Sequence, residues 1–389
     1  MIARQIAQPI QKLMTQFPII SVTGPRQSGK TTLLRGMFPE YRYVNFEDPD
    51  SRLYFEQDPR GFLREYDNKV VFDEAQRVPQ LFSYLQVKVD EDKMMGQFVL
   101  SGSQNFLLLE KITQSLAGRV AIFRLLPFSH RELDAPDTGL KPADVETAIF
   151  LGGYPVLYDR KTRPADYFQS YLETYVERDV RNVLNIKDLN AFQLFLRLCA
   201  GRVGQPVNLQ SLATEAGIST PTVKSWLSIL EASYILFQLP PFFENFNKRL
   251  VKSHKLYFYD TGLLCHLLGI TESTQIRQHY IRGSLFENMV IIELMKNRYN
   301  RNQRPDFYFW KDNHQVEVDL VSLEGLNTNL FEVKYSFTPK AEFLKGIQSF
   351  RDNAPEHRRA GNNYLVYAGD ERQQRSAAIF EPWRNLKGL

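Results

Sequence analysis

Residues 19–34 read Ile19-Ile20-Ser21-Val22-Thr23-Gly24-Pro25-Arg26-Gln27-Ser28-Gly29-Lys30-Thr31-Thr32-Leu33-Leu34. The run opens with apolar, β-branched residues, the mark of a strand buried in a parallel sheet. It continues as G-x-x-x-x-G-K-T from Gly24 to Thr31 and ends in an apolar helix start. Strand, glycine loop and helix in that order form a phosphate-binding P-loop. Gly24 and Gly29 lack a Cβ, so the backbone of Pro25, Arg26, Gln27 and Ser28 between them can curl tightly and turn the N–H groups of the loop residues after Pro25 inward. The helix starting near Lys30 adds the positive end of its dipole. Lys30 reaches terminal phosphates as a point charge. The Thr31 hydroxyl ligates Mg²⁺, and Thr32 follows in the same first turn.

Working outward, Tyr41–Phe46 alternates as a second strand and ends in an acidic turn, Glu47-Asp48-Pro49-Asp50. Asp58-Pro59 opens a helix over Arg60–Tyr66, with Pro at a helix-start position. Upstream of the loop, Arg4–Gln16 reads as a short amphipathic helix.

Lys69-Val70-Val71-Phe72-Asp73-Glu74 is a short apolar strand ending in two acids, the Walker B pattern. At a strand tip beside the P-loop, Asp73 holds Mg²⁺ directly or through water, and Glu74 polarises the attacking water. Gln97–Asn105 is a third strand with a polar tip, where Ser103, Gln104 and Asn105 are candidates for sensing a terminal phosphate. Arg119, in Leu116–Val120, has two readings: an arginine finger for a neighbouring subunit, or a surface cation. Ala121–Leu126 closes the sheet and Pro127 breaks it. Strands alternating with helices predict an α/β fold with a parallel, helix-flanked sheet, and a ligand at the strand carboxyl ends.

The 389 residues suffice for two or three domains, and a 43% hydrophobic, 24% charged composition is that of an ordinary globular chain. A net charge of +4 is too small to imply nucleic acid, so any DNA contact must rest on local sites. Cys199 and Cys265 lie in apolar stretches without a neighbouring Cys, as buried thiols of a reducing, cytoplasmic compartment do. No apolar run approaches the roughly twenty residues that span a bilayer, and the first residues lack the core of a signal peptide.

Asp134–Asp144, rich in Pro, Asp and Gly, marks a boundary region. Leu151–Pro155 is a turn, and Tyr167–Leu184 reads as a long helix. On it Arg178 either contacts a phosphate or belongs to a solvated face. Asn208–Gly217 and Ser219–Leu230 are two short capped helices joined by a Gly turn, a helix-turn-helix pattern. Ser233–Leu239 and Lys255–Tyr259 supply a wing. Val223, Trp226, Leu227 and Leu230 face inward; Thr222, Lys224, Ser225 and Ser228 face outward. That outer face suits either a DNA groove or subunit packing, because it carries a single cation.

The last third carries a second constellation. Glu287 lies on the apolar helix Ser284–Leu294, Asp319 in the alternating Val316–Val321, and Glu332 and Lys334 form E-x-K on the strand Leu330–Tyr335. Period-two spacing puts Glu332 and Lys334 on one face. Carboxylates from Glu287, Asp319 and Glu332 converging with Lys334 can bind Mg²⁺ and orient a water for phosphodiester attack. The other reading is a solvent-facing alternating sheet.

With these residues in hand, the chain resembles the prokaryotic AAA-superfamily ATPases that follow the ATPase with a winged helix and a restriction-endonuclease-like domain. The resemblance rests on Gly24–Thr31, Val70–Glu74, Ser101–Asn105, Leu116–Arg119, Tyr175–Val180 and the Glu287, Asp319, Glu332, Lys334 set. It implies ATP binding and hydrolysis with Mg²⁺ in a homo-oligomer and a nuclease-like fold of the PD-(D/E)xK type; the functional expectation built on these residues is an ATP-driven, DNA-associated oligomer with a nuclease-type accessory domain. Val318 stands where a Pro often precedes the Asp of that pattern. The implied layout is an ATPase domain over 1–135, a helical and winged-helix domain over 145–270, and a small α/β nuclease-like domain over 275–389. The rival expectation is a nucleotide-dependent switch or scaffold whose last domain only binds a partner.

Overall fold

The computed structural model describes residues 2–103, 115–135, 138–176, 188–242, 253–386 and 389. The chain packs as two compact units: Met1–Phe128 with Ala232–Tyr234 and Arg298–Gln303, and the remainder from Ser129 onward. The expected segments 145–270 and 275–389 fall mostly within the second unit.

In the first unit the elements are α1 (Ala7–Met14), β1 (Ile19–Thr23), α2 (Lys30–Met37), β2 (Arg42–Asn45), α3 (Pro49–Gln57), α4 (Pro59–Glu65), β3 (Val70–Asp73), α5 (Leu81–Asp92), β4 (Phe98–Gly102) and β5 (Val120–Arg124). The five strands pair in parallel in the order β2-β3-β4-β1-β5. Strands β1, β3 and β4 are buried along their whole length, which is why they read as continuous apolar runs. Successive residues serve opposite faces. Ile19, Val70, Phe72, Phe98 and Leu100 pack with Phe55, Phe62 and Phe82 from α3, α4 and α5. Ile20, Val22, Val71 and Val99 pack with Ile10 of α1 and Leu33 and Leu34 of α2. Each such large side chain contributes about 1.5–3 kcal/mol on burial. The sheet thus has helices on both faces, as expected.

One local expectation is corrected. Glu47–Asp50 is not a simple turn: Asp48 caps α3 through Asp50 N and Ser51 N, and Pro49 occupies the first helical position. Proline lacks an N–H and has a fixed φ, so it starts a helix readily.

In the second unit the helices are α6 (His130–Leu133), α7 (Val145–Leu151), α8 (Pro155–Asp159), α9 (Pro164–Tyr171), α10 (Leu189–Ala200), α11 (Leu209–Ala216), α12 (Thr220–Ala232), α13 (Thr261–Leu267), α14 (Arg282–Asn300) and α15 (Lys345–Asn353). The end of α12 and the end of α14 are counted with the first unit. Its strands are β6 (Leu236–Leu239), β7 (Lys255–Phe258), β8 (Phe307–Lys311), β9 (Glu317–Glu324), β10 (Asn327–Lys334), β11 (Asn363–Tyr367), β12 (Gln373–Gln374) and β13 (Ile379–Pro382). β6 and β7 form an antiparallel pair; the others form a mixed sheet in the order β12-β13-β11-β10-β9-β8. Val318, Val321, Leu330, Ile347, Phe350 and Leu365 build its core against α15. Buried Asn288 of α14 stitches on β7, accepting from Phe258 N at 2.7 Å and donating to Phe258 O at 2.9 Å. Val223, Trp226, Leu227 and Leu230 are buried on α12, while Lys224 and Ser228 are exposed. The helix expected from Tyr167 begins at Pro164 and passes into a π-helical turn, Leu172–Val176; the rest of the expected span, with Arg178, lies outside the described residues.

Candidate functional site

The site in the first unit lies at the carboxyl ends of β1, β3 and β4. Gly24 follows β1, and a Cβ there would sit 2.1 Å from the Leu125 carbonyl oxygen, so only glycine fits. Gly29 takes φ 92° as the N-cap of α2, where no side chain caps the first turn. Those N–H groups therefore have the geometry of an anion cradle. Lys30 Nζ donates to the loop carbonyls of Gly24 at 3.0 Å and Pro25 at 2.8 Å. Burial lowers the Lys30 ammonium from 10.5 to about 8; the charges of Glu74 and Asp73 oppose that shift, and Arg26 adds to it. Arg26 lies 4.0 Å from Glu47 Oε1.

Asp73 gathers the metal-binding groups expected from sequence. Thr31 Oγ1 donates to its Oδ2 at 2.8 Å, and the Glu74 N–H donates to its Oδ1 at 3.0 Å. Two further hydroxyls, Tyr43 on β2 and Ser101 on β4, also donate to Asp73. Glu74 sits at φ 53°, a left-handed conformation that costs a residue with a Cβ roughly 1–3 kcal/mol. Its Oε2 accepts from Gln76 Nε2 at 2.5 Å and from Ser103 Oγ at 3.2 Å.

The structure thus brings Gly24, Pro25, Arg26, Gln27, Ser28, Gly29, Lys30, Thr31, Thr32, Asp73, Glu74 and Ser103 to one end of the sheet. Gln104 and Asn105 lie outside the described residues. Arg119 is placed elsewhere: it precedes β5, at the opposite end of the parallel strands from Gly24. There its guanidinium grips Asp90 at 2.6 and 2.7 Å.

Sequence reasoning missed four contributors. Tyr43 and Ser101 reach Asp73 only because β2 and β4 flank β3. Gln76 holds Glu74 from the 3-10 turn Ala75–Arg77. Arg4, folded over the Phe128 ring at 4.7 Å, donates to the Ser28 carbonyl at 2.9 Å and braces the loop from beneath. Its charge on an otherwise amphipathic segment was the one available signal.

The residues fit a nucleoside triphosphate with Mg²⁺. Gly24 has no room for a side chain, Lys30 donates to the carbonyls of Gly24 and Pro25 in the loop, and Ser28 Oγ is a buried hydroxyl without a partner. Lys30 and the loop would hold phosphate oxygens; Thr31 and Asp73 would hold the metal. The bound metal would neutralise charge on the transferred phosphate.

The second constellation lies within the second unit. Lys334 Nζ stands 2.7 Å from Glu332 Oε1 and 3.5 Å from Asp319 Oδ2, so Asp319, Glu332 and Lys334 do converge. Val333 N–H donates to Asp319 Oδ2 at 2.8 Å. Burial, then the Asp319 charge, pushes the Glu332 carboxyl well above the usual range; Lys334 offsets part of this. Glu287, whose charge is felt by Glu332 and Lys334, is engaged by Lys255 Nζ at 3.2 Å and by the Tyr257 hydroxyl. Burial raises its carboxyl as well, against the pull of Lys255. Among the described residues no group of three or more His, Cys, Asp and Glu is placed to hold a metal ion. Lys255 and Lys334, rather than a metal, stand between these carboxylates, and paired in this way they are not free to take the Mg²⁺ expected of them.

Fold and site together define a P-loop ATPase domain of the AAA type. Residues 16–134 match the AAA domain family; residues 142–274 and 282–385 match two families described as domains of unknown function, DUF8612 and DUF4143. Two uncharacterised proteins, Rv2008c of Mycobacterium tuberculosis and Mb2031c of Mycobacterium bovis, are each 30% identical over 342 residues. The match spans 86% of this chain and 74% of each relative, and the chain belongs to their family. The Walker-type ATPase paby2304 of Pyrococcus abyssi aligns over 68% of this chain and 94% of its own, at 15% identity and a TM-score of 0.45. Among the described residues no helix is long and apolar enough to cross a membrane.

Proposed function

We propose that the protein is an ATP-hydrolysing, oligomeric machine that acts in association with DNA, and that its last domain grips a partner. The observation that carries the ATPase reading is the Thr31 to Asp73 hydrogen bond of 2.8 Å beside Lys30, which sets metal and phosphate groups side by side. Glu74, held by Gln76 and Ser103, is the base that polarises the attacking water. Lys224 and Ser228, exposed on the side of α12 opposite buried Trp226, support a DNA-facing α12. In the assembly Arg119 acts in trans, leaving Asp90 to reach a neighbouring subunit's phosphate.

The test is ATP turnover of the full chain with and without duplex DNA, alongside its mass in solution. Turnover that rises on adding duplex and vanishes in Lys30→Ala protein supports the reading. Turnover unchanged by duplex leaves a DNA-independent switch. A Lys30→Ala protein as active as wild type removes the ATPase assignment.

A further inference from the structure

We propose that Lys255 is the resident cation of the acidic cluster in the second unit, and that this cluster takes a divalent ion only when Lys255 is removed. The inference is independent of the ATPase reading.

The cluster draws on four elements: Lys255 from β7, Glu287 from α14, Glu317 and Asp319 from β9, and Glu332 and Lys334 from β10. The Lys255 side chain is 2% exposed. An ammonium that deep stays charged only when paired and hydrogen-bonded. Its partners are Glu287 Oε1 at 3.2 Å and Glu317, with the Phe309 ring 5.4 Å away on another side. Lys334 does the same for Glu332 and Asp319. Lys311 approaches Glu317 at 3.7 Å, and the Tyr257 hydroxyl donates to Glu287.

Each of the two inner ammonium groups thus bridges two carboxylates, the role a divalent ion plays in a metal site. Mg²⁺ needs an octahedron of oxygens at about 2.1 Å, whereas Glu287 Oε1, Glu317 Oε1, Asp319 Oδ2 and Glu332 Oε1 are each already paired with Lys255, Lys334 or the Val333 N–H. Four carboxylates also face three ammonium groups, so the cluster is neutral to within one charge, and a dication would leave positive charge stranded in a buried place. One oxygen points to what the cluster can still accept. Glu332 Oε2 is buried without a partner. A Cβ at Gly346 would lie 3.2 Å from it, so there is no space for a larger neighbour to fill. Removing Lys255 frees Glu287 and Glu317 to join that oxygen.

The probe is Mn²⁺ alone, titrated into the nucleotide-free full chain and followed by the resonance of the free ion, with thermal melting beside it. Wild type and Asp319→Asn protein should bind Mn²⁺ equally weakly. Lys255→Met protein should gain one site about tenfold tighter or better, lost again on adding Asp319→Asn, and Mn²⁺ should raise its melting temperature but not that of wild type. A wild-type site that disappears in Asp319→Asn protein overturns the proposal, as does folded Lys255→Met protein with no gain. If Lys255→Met protein does not fold, the wild type and Asp319→Asn comparison decides alone. Lys255→Arg, which keeps the charge, should then fold and bind Mn²⁺ no more tightly than wild type.

Discussion

Thr31 and Asp73, 42 positions apart in sequence, share a 2.8 Å hydrogen bond between the first turn of α2 and the tip of β3. A hard cation prefers such oxygen groups, and a carboxylate supplies charge that an amide lacks. Asp73→Asn should therefore weaken ATP binding only when Mg²⁺ is present. Calorimetric titration of ATP with and without Mg²⁺ checks this: an equal loss in both would place the effect on loop stability instead.

Lys30 carries a pH dependence. Its ammonium is charged below about pH 8 in the folded protein and titrates at 10.5 when unfolded. The unfolded chain thus binds more protons between those values, so stability of the first unit should rise with pH across that window. Nucleotide binding runs the other way, falling as pH passes about 8, because the phosphates meet a neutral amine. Affinity measured from pH 6.5 to 9.5 should show this decline. Lys30→Arg protein, charged throughout, should lack it.

Glu74→Gln should leave ATP affinity within about twofold and lower turnover by roughly 10² or more, since an amide does not polarise water as a base does. Single-turnover measurement with bound ATP separates the two effects. Turnover at the wild-type rate would remove Glu74 from the chemistry.

Gly24→Ala drives a methyl group into the Leu125 carbonyl, and the backbone has to move. We expect a loss of about 1–3 kcal/mol in the stability of the first unit, together with loss of nucleotide binding. Chemical denaturation and nucleotide titration of the same preparation measure both.

Arg119→Ala tests assembly. If the residue acts in trans, turnover falls at unchanged ATP affinity, and mixing with Lys30→Ala protein restores some composite sites. A monomer with full activity across dilution would refute the role.

The Walker segments were legible because their chemistry is local: Gly24–Thr31 and Val70–Glu74 each carry strand, turn and function within a few residues. The groups around Asp73 were not. Tyr43 lies 30 residues away and meets it through the register Asn45 opposite Asp73, which depends on strand order. Helix α3 was legible in principle, since Asp48-Pro49 repeats the Asp58-Pro59 signal, but its acidic content reads equally as a turn. In the last third, E-x-K spacing put Glu332 and Lys334 on one face. The lysine that neutralises the neighbouring acids comes from β7, and nothing in the sequence of Lys255–Phe258 announces a charge meant for burial.

The left-handed backbone at Glu74 has a consequence for the protein's history under selection. Glycine would occupy φ 53° without strain, and asparagine nearly so. A population screened for heat resistance alone should therefore drift toward those residues at position 74 and lose turnover on the way. A population screened for turnover should keep the acid and accumulate its compensations elsewhere in the sheet.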